Sequence, residues 1–463
     1  MKTYLIKISK RWAFALTMMV FLSQNSPIQA QDSFQTWVPL GFTWGGLWTA
    51  EPHPQGGYMA FGSANIWDQG DVNILVRFHD NGDTLWVKKF YRYSDITIEA
   101  VDMVKAVDNS GFFILIVQKK YNYGYFRNSN AILKVNLNGD SLWQKTITPV
   151  YEYSQAGLRD IKATPDGGFV VAGANSSLSE NLIMKLSPTA EIEWENSTSN
   201  ADIYPYYANV AVAPDGNYFA VGITSGWHPT GDNDKRLFLR KIDANGNTLW
   251  DRSFHSGNIN TGDSIRSEGR DVMALADGGC IICGTVSNPG QNHGPALLMC
   301  FDMNGEPVWT KHFYNNPGTT TQAHKLHPIA SGDFMAYMEE FSSFSNARPQ
   351  LLKLNSSGDS LWSQHGFDRH FYLRGAANNG GLLFSGGSGD YGILVKTTDD
   401  GMYLPPNLNM PWNGQDNVLA PINFGWNVSA APQRTSSYRL QVATDEAFTN
   451  IVVDESNINT TFF

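Results

Sequence analysis

Unbroken apolar runs of three or four residues, each entered through a turn, recur seven times along the chain. They are Gly57-Tyr-Met-Ala-Phe61, Gly111-Phe-Phe-Ile-Leu115, Gly168-Phe-Val-Val-Ala172, Asn217-Tyr-Phe-Ala-Val221, Gly279-Cys-Ile-Ile-Cys283, Asp333-Phe-Met-Ala-Tyr337 and Gly381-Leu-Leu-Phe384. Continuous apolar character, with no polar alternation, predicts strands covered on both faces. A second apolar strand follows each, as in Asn73-Ile-Leu-Val-Arg-Phe78, Leu237-Phe-Leu-Arg-Lys-Ile242 and Tyr391-Gly-Ile-Leu-Val-Lys396. Six of these lead through a short turn, five times with Gly (Gly82, Gly139, Gly246, Gly305, Gly358), into a strand marked by Trp86, Trp143, Trp194, Trp250, Trp309 or Trp362. A polar-flanked strand ahead of each turn completes a four-stranded unit.

The tryptophans recur at intervals of about 50–60 residues, a blade length for a propeller. The seventh unit lacks a Trp strand, and the orphan segment Phe34 to Leu40, carrying Trp37, supplies one. The pattern therefore predicts an all-β fold: a seven-bladed β-propeller over residues 31–403, closed by pairing the N-terminal strand into the last blade. Closure removes the open edges that a linear array would expose. Composition agrees, with 43 Gly, 13% aromatic and only 16% charged residues, which suits short strands and tight turns better than helices.

Residues 1–30 read as a secretory signal peptide, because Lys2, Lys7, Lys10 and Arg11 precede an apolar run from Trp12 to Leu22 and a small-residue site at Ala30. That run is too short for a stable membrane span, and no second one follows. Cleavage would remove four basic residues and none of the 43 acidic ones, deepening a net charge of −10. Nucleic acid is not expected as a partner, since phosphate affinity needs clustered Lys and Arg. The three cysteines Cys280, Cys283 and Cys300 are too few for a disulfide framework. The odd spacing in Cys280-Ile-Ile-Cys283 predicts side chains on opposite faces of a strand, buried in the core; a bridge from Cys300 to one of them is the alternative.

The turns between first and second strands and between third and outer strands are tight, and share one plain face. The connections on the opposite face read as longer and aromatic. They carry Trp67, Tyr121, Tyr123, Tyr125, Tyr151, Tyr153, Tyr206, Trp227 and His228, flat amphipathic groups suited to sugar rings or protein surfaces. Tyr121, Tyr123 and Tyr125 stand out beside Lys119, Lys120 and Arg127. Asp160, Asn209, Asp271 and Lys325 occupy matching places on first strands, where a propeller lines its central channel. Asp160 and Asp271 are the only candidates for paired-carboxylate glycoside hydrolysis, and capping of the channel is the simpler role of the set. No metal-ligand spacing, phosphate loop or nucleophile elbow appears, so neither a metal nor a cofactor is expected.

After Gly401 the pattern changes. Phe424-Gly-Trp426, Tyr438-Arg-Leu-Gln-Val442 and the segment to Val452 read as short strands of a β-sandwich over residues 404–463. This part resembles a fibronectin type III module, with Trp426 and Tyr438 at core positions; about 60 of roughly 100 residues are present, so further C-terminal modules are expected. The repeated Asp243-Ala-Asn-Gly-Asn-Thr-Leu-Trp250 resembles the tryptophan-docking repeat of quinoprotein propellers, one residue shorter, which implies that Trp packs one blade on the next. The adjacent Cys pair and metal site of quinoprotein dehydrogenases are not found. Asp80-Asn-Gly-Asp-Thr-Leu-Trp86 is similar to the sialidase Asp box, a turn-stabilising element, but is off by one at the Trp. The whole resembles secreted bacterial proteins in which a repeat propeller precedes fibronectin-like modules and, often, a type IX sorting tail; no such tail is visible. The resemblance implies an extracellular or cell-surface protein, with the periplasm as the alternative. Its implied role is non-catalytic binding or adhesion, presenting the aromatic face to a polysaccharide or protein. The alternative is a glycan-active enzyme using acids at the channel mouth.

Overall fold

In a computed structural model of the chain, the described residues lie mainly between 34 and 397. Within that span residues 40–43, 67–69, 91–95, 123–124, 149–150, 153–156, 176–179, 200–205, 228–232, 255–265, 288–293, 314–318, 330–331, 342–346, 366–370, 379 and 389–390 are not described. Outside it the described residues are 3–6, 20–23, 408–410, 425–426, 438–443 and 451–458. The chain divides into two units, one of Trp37–Asn378 with Phe384–Leu394 and one of Met1–Thr36, Asn379–Leu383 and Val395–Phe463.

The described strands form a seven-bladed β-propeller. Six sheets have four antiparallel strands and the sheet of blade 2 has a fifth. Blade 1 runs Trp44–Pro52, Tyr58–Ile66, Gly70–Phe78 and Thr84–Phe90, and the next five blades repeat that order. Blade 7 takes its first three strands from Phe371–Ala376, Leu382–Ser388 and Tyr391–Lys396, and its outer strand from Phe34–Pro39. The N-terminal closure expected from Trp37 is thus present, and the Trp37 ring meets Tyr391 edge-on at 5.9 Å. Blade 7 also meets blade 1, where Asn378 Nδ2 donates to the Gly57 carbonyl at 2.6 Å.

The core lies between blades. In blade 5, Cys280 and Ile282 pack with Phe219, Val221 and Leu239 of blade 4, while Ile281 and Cys283 pack with Phe334, Ala336 and Leu352 of blade 6. One second strand therefore serves two cores, which is why its sequence carries no polar alternation. Cys280 and Cys283 lie on opposite faces as expected, and all three cysteines are buried free thiols, so the alternative bridge to Cys300 is not formed. Burial pushes each thiol well above its ordinary pKa, which suppresses thiolate chemistry.

The Gly-to-Trp turns fasten neighbours. Asp243 accepts N–H bonds from Asn245 at 2.9 Å and Asn247 at 2.7 Å, and Asn136, Asp302 and Asn355 make the same pair of bonds in their own turns. This holds the following glycine at positive φ, +88° at Gly246, and exposes a flat backbone on which the preceding blade lays its indole. Trp194 Nε1 donates to Ala244 O, Trp250 Nε1 to Met303 O and Trp309 Nε1 to Ser356 O, at 3.0 to 3.2 Å. In blade 3 the glycine is replaced by Ala190 at φ +57°, so left-handed strain alone is tolerated. A Cβ at Gly246 would in addition lie 2.6 Å from the Trp194 ring. Gly246→Ala is expected to cost about 2 kcal/mol or more, readable as a lower denaturation midpoint with an unchanged slope.

Two expectations are corrected here. In blade 1 the position of Asp243 is held by His79, whose N–H donates to Asp83 O; Asp80 turns instead to accept from Gly57 N at 2.6 Å, so the Asp-box likeness has no counterpart in its bonding. The aromatic connection of blade 2 is mostly strand: Gly111–Asn122 and Tyr125–Asn136 pair along their whole length. The fibronectin-like reading of 404–463 lies mostly outside the described residues, which there comprise the pairs Leu408–Met410 with Gly425–Trp426 and Tyr438–Ala443 with Ile451–Ile458.

Candidate functional site

Each first strand of blades 1 to 6 slips register once against its neighbour, and the slips fall at equivalent places. The residue following the slip is Thr49, Asp102, Asp160, Asn209, Asp271 or Lys325. A bulge bends a strand and re-aims the side chain beside it. The four positions singled out in the sequence, Asp160, Asn209, Asp271 and Lys325, are therefore structurally equivalent. Asp102 and Thr49 complete the set. Asp102 escapes an alignment on the turns because its turn, Ala106 to Gly111, is one residue longer than Thr164 to Gly168, with Asn109 at φ +56° taking up the extra residue.

These side chains knit one blade to the next. Asp160 accepts from Lys162 and, at 3.0 Å, from the backbone N–H of Val210 in blade 4. Asp271 accepts from Lys325 at 3.2 Å and from the backbone N–H of Leu326 in blade 6 at 2.7 Å. Asp102 accepts from Thr49 Oγ1 of blade 1 at 3.0 Å and lies 3.8 Å from Lys162 of blade 3. Asp160 and Asp271 are only 2% exposed, so they are neither solvated nor free. Both oxygens of each are engaged. Asn209 is also buried, and its amide oxygen has no hydrogen-bond partner among the described residues.

Burial and crowding spread the titrations of this set. Glu51, on the first strand of blade 1, is pushed up to about 8 by burial and then by the Asp102 charge. Burial also pushes Asp160 to about 6, against the pull of Lys162 and Lys325. Burial acts on Asp102 the same way, but Lys162 and Lys325 outweigh it and hold that carboxyl below its ordinary range. Burial opposes the charge on Lys325, yet Asp271, Asp160 and Asp102 together raise its pKa. His327 is pushed down to about 4 by burial, then by Lys325, and stays neutral.

A sign follows for Glu51. The folded chain holds this proton up to about pH 8, whereas an unfolded carboxyl releases it near 4.5. Its contribution to stability is complete below pH 4.5 and is lost as the pH rises through 8. Glu51→Gln keeps the neutral form at every pH. Its melting temperature is expected to match wild type at pH 5 and to exceed it at pH 9; equal curves at both would show that Glu51 ionises freely.

The aromatic positions fall differently. Tyr121, Tyr125, Tyr151, Tyr206 and Trp227 lie in strands, Tyr121 in register with Phe126, Tyr151 with Asn128, Tyr206 with Ile223 and Trp227 with Asn233. Trp67, Tyr123, Tyr153 and His228 lie outside the described residues. The central strands of blade 2 are 12 residues long and those of blade 4 are 10, against 6 to 9 in the other blades. Two hairpins are thus prolonged toward the face predicted to carry function. Of the blade tryptophans, Trp86 packs beside Gly139, Trp143 beside the cluster holding Ala190, and Trp362 stands in register with Lys353. Among the described residues no group of three or more His, Cys, Asp or Glu side chains is placed to hold a metal, and no helix is long and apolar enough to cross a membrane.

No family model and no curated protein matches the chain. Among solved structures it is similar to a protein of unknown function from Bacteroides caccae, at 14% identity over 63% of this chain and 90% of that one, with a TM-score of 0.38. It is also similar to the β-propeller domain of the Trilobed protease from Pyrococcus furiosus, at 8% identity over 77% of this chain and 94% of that one, with a TM-score of 0.44. A third is the Nup133 β-propeller domain of Vanderwaltozyma polyspora, at 10% identity, 80% and 99% coverage and a TM-score of 0.45. At such identities a likeness speaks to fold alone, and the fold rests on the seven sheets described above.

Proposed function

We propose that the chain is a non-catalytic binding module, exported by its N-terminal signal, that presents the prolonged hairpins of blades 2 and 4 to a polysaccharide or protein. The observation that supports this most is the engagement of Asp160 and Asp271. The two acids offered by the sequence for hydrolysis are buried, and each accepts from a lysine ammonium through one oxygen and from a backbone N–H of the next blade through the other. In this reading residues 404–463 form a fibronectin-like module that spaces the propeller from its neighbours at the cell surface. The test is a glycan-array and pull-down screen, repeated with Tyr121, Tyr123 and Tyr125 all changed to Ala. Binding is expected to fall about tenfold or more, with an unchanged melting temperature; undiminished binding would remove this site.

A second reading has one observation in its favour. Burial holds the Glu51 carboxyl up, to about 8, while that of Asp102 on the adjacent blade, despite its burial, is held low by Lys162 and Lys325, so one acid is protonated and the other ionised at neutral pH. Turnover of a polysaccharide by the wild-type chain, lost in Glu51→Gln without loss of folding, is what that reading requires.

A further inference from the structure

On the third strand of each blade, four residues before the one paired with the blade tryptophan, stands a position turned toward the following blade. In blades 1 to 5 it is Asn73, Asn130, Asn181, Leu237 and Ala296, all buried. Its orientation follows from strand alternation, because the residue two further on joins the core shared with the next blade: Leu75 with Ile114, Ile132 with Ile161, Ile183 with Val210, Leu239 with Ile282 and Leu298 with Phe334. Leu237 and Ala296 belong to those same apolar clusters. The three asparagines interrupt the apolar filling. Asn130 Oδ1 accepts from the N–H of Leu158 in blade 3 at 3.2 Å, but its Nδ2 has no hydrogen-bond partner among the described residues, nor has Asn73 Oδ1, nor either amide atom of Asn181.

We propose that the seams between blades 1 and 2, 2 and 3, and 3 and 4 each enclose ordered water bound to the buried asparagine, whereas the seams between blades 4 and 5 and between 5 and 6 are dry at the same level. A buried amide without a partner is destabilising, and ordered water is the usual remedy inside proteins. The chemistry of the three sites selects it. Asn130 offers a donor, Asn73 an acceptor and Asn181 both; a cation would satisfy only the oxygens and an anion only the nitrogens, while water donates and accepts. The seams then differ mechanically. Water exchanges one hydrogen bond for another as neighbouring blades shift, but close-packed apolar side chains forfeit contacts with any displacement. Blades 2 and 3, with hydrated seams on both sides, form the compliant sector of the ring, and blade 5, with dry seams on both sides, the rigid one.

Two measurements on the whole chain test this. A high-resolution crystal structure is expected to show water within hydrogen-bond distance of Asn73, Asn130 and Asn181, and none beside Leu237 or Ala296. Native-state hydrogen exchange compares three fully buried second-strand residues, Ile114 of blade 2, Val171 of blade 3 and Ile282 of blade 5. Exchange through partial opening is expected to be about tenfold or more faster at Ile114 and Val171 than at Ile282. Asn181→Leu, which gives blade 3 the residue that blade 4 carries at this position, should expel the water and slow Val171 toward Ile282. Dry asparagines in the wild-type crystal, equal or reversed protection of blades 3 and 5, or an Asn181→Leu variant with unchanged exchange at Val171 would each overturn the proposal. The wild-type measurements decide it even where the variant does not fold.

Discussion

Deleting residues 34–39 is expected to lower the stability of the whole propeller, not of blade 7 alone. Phe34 and Val38 are 9% and 2% exposed, and losing two such side chains costs about 4 kcal/mol. The third strand of blade 7 would then become an edge, its Ile393, Leu394 and Val395 having been fully buried. A domain stabilised by about 5–15 kcal/mol in total does not absorb that loss. The expected result is a melting temperature lowered by 10 °C or more, on the order set by a few degrees per kcal/mol, with aggregation from the newly opened edge. Retention of the wild-type transition would refute the closure.

The second large effect is expected at Asp271. Removing its carboxylate strands the backbone N–H of Leu326 and the ammonium of Lys325 at once. Breaking a buried pair costs about 3–5 kcal/mol. The lower end applies, because the Lys325 side chain is 24% exposed and water recovers part of the loss. Asp271→Ala should therefore lose about 3 kcal/mol. Asp271→Asn keeps an acceptor for Leu326 and should fall between, and Lys325→Met alongside Asp271→Ala should recover part of the deficit by removing the stranded charge. Chemical denaturation of the three variants checks this ordering.

Much of the fold was legible because each blade repeats two unambiguous signals. The unbroken apolar second strand, such as Cys280-Ile-Ile-Cys283, has no reading other than burial on both faces. A Trp strand without a preceding partner at Trp37, and a third strand without a following Trp at Tyr391, fit only each other. The set beside the register slips was legible in part. Asp160, Asn209, Asp271 and Lys325 stand at a constant distance before their turns, whereas Asp102 is displaced by the extra residue around Asn109. Glu51 and Lys162 sit off the repeating position altogether, and their roles arise from the convergence of different blades, which no spacing along the chain encodes. The same holds for the use of the carboxylates. That Asp160 binds the N–H of Val210 follows from how the bulges set adjacent blades. The hairpin of blade 2 reads as a connection because Asn and Gly favour turns, yet the β-propensity of Tyr and Phe carries the ladder to the pair Asn122 and Tyr125.

The central claim is a division of labour: the buried carboxylates beside the register slips hold the blades together, and the prolonged hairpins are proposed to take the ligand. The most direct measurement is the binding isotherm of two variants, Asp271→Asn and Tyr121→Ala with Tyr125→Ala, at a temperature well below both melting transitions. The account predicts that Asp271→Asn melts early but binds with wild-type affinity, while the tyrosine variant melts with wild type and loses binding. An Asp271→Asn variant that keeps its stability and loses affinity or turnover would contradict it.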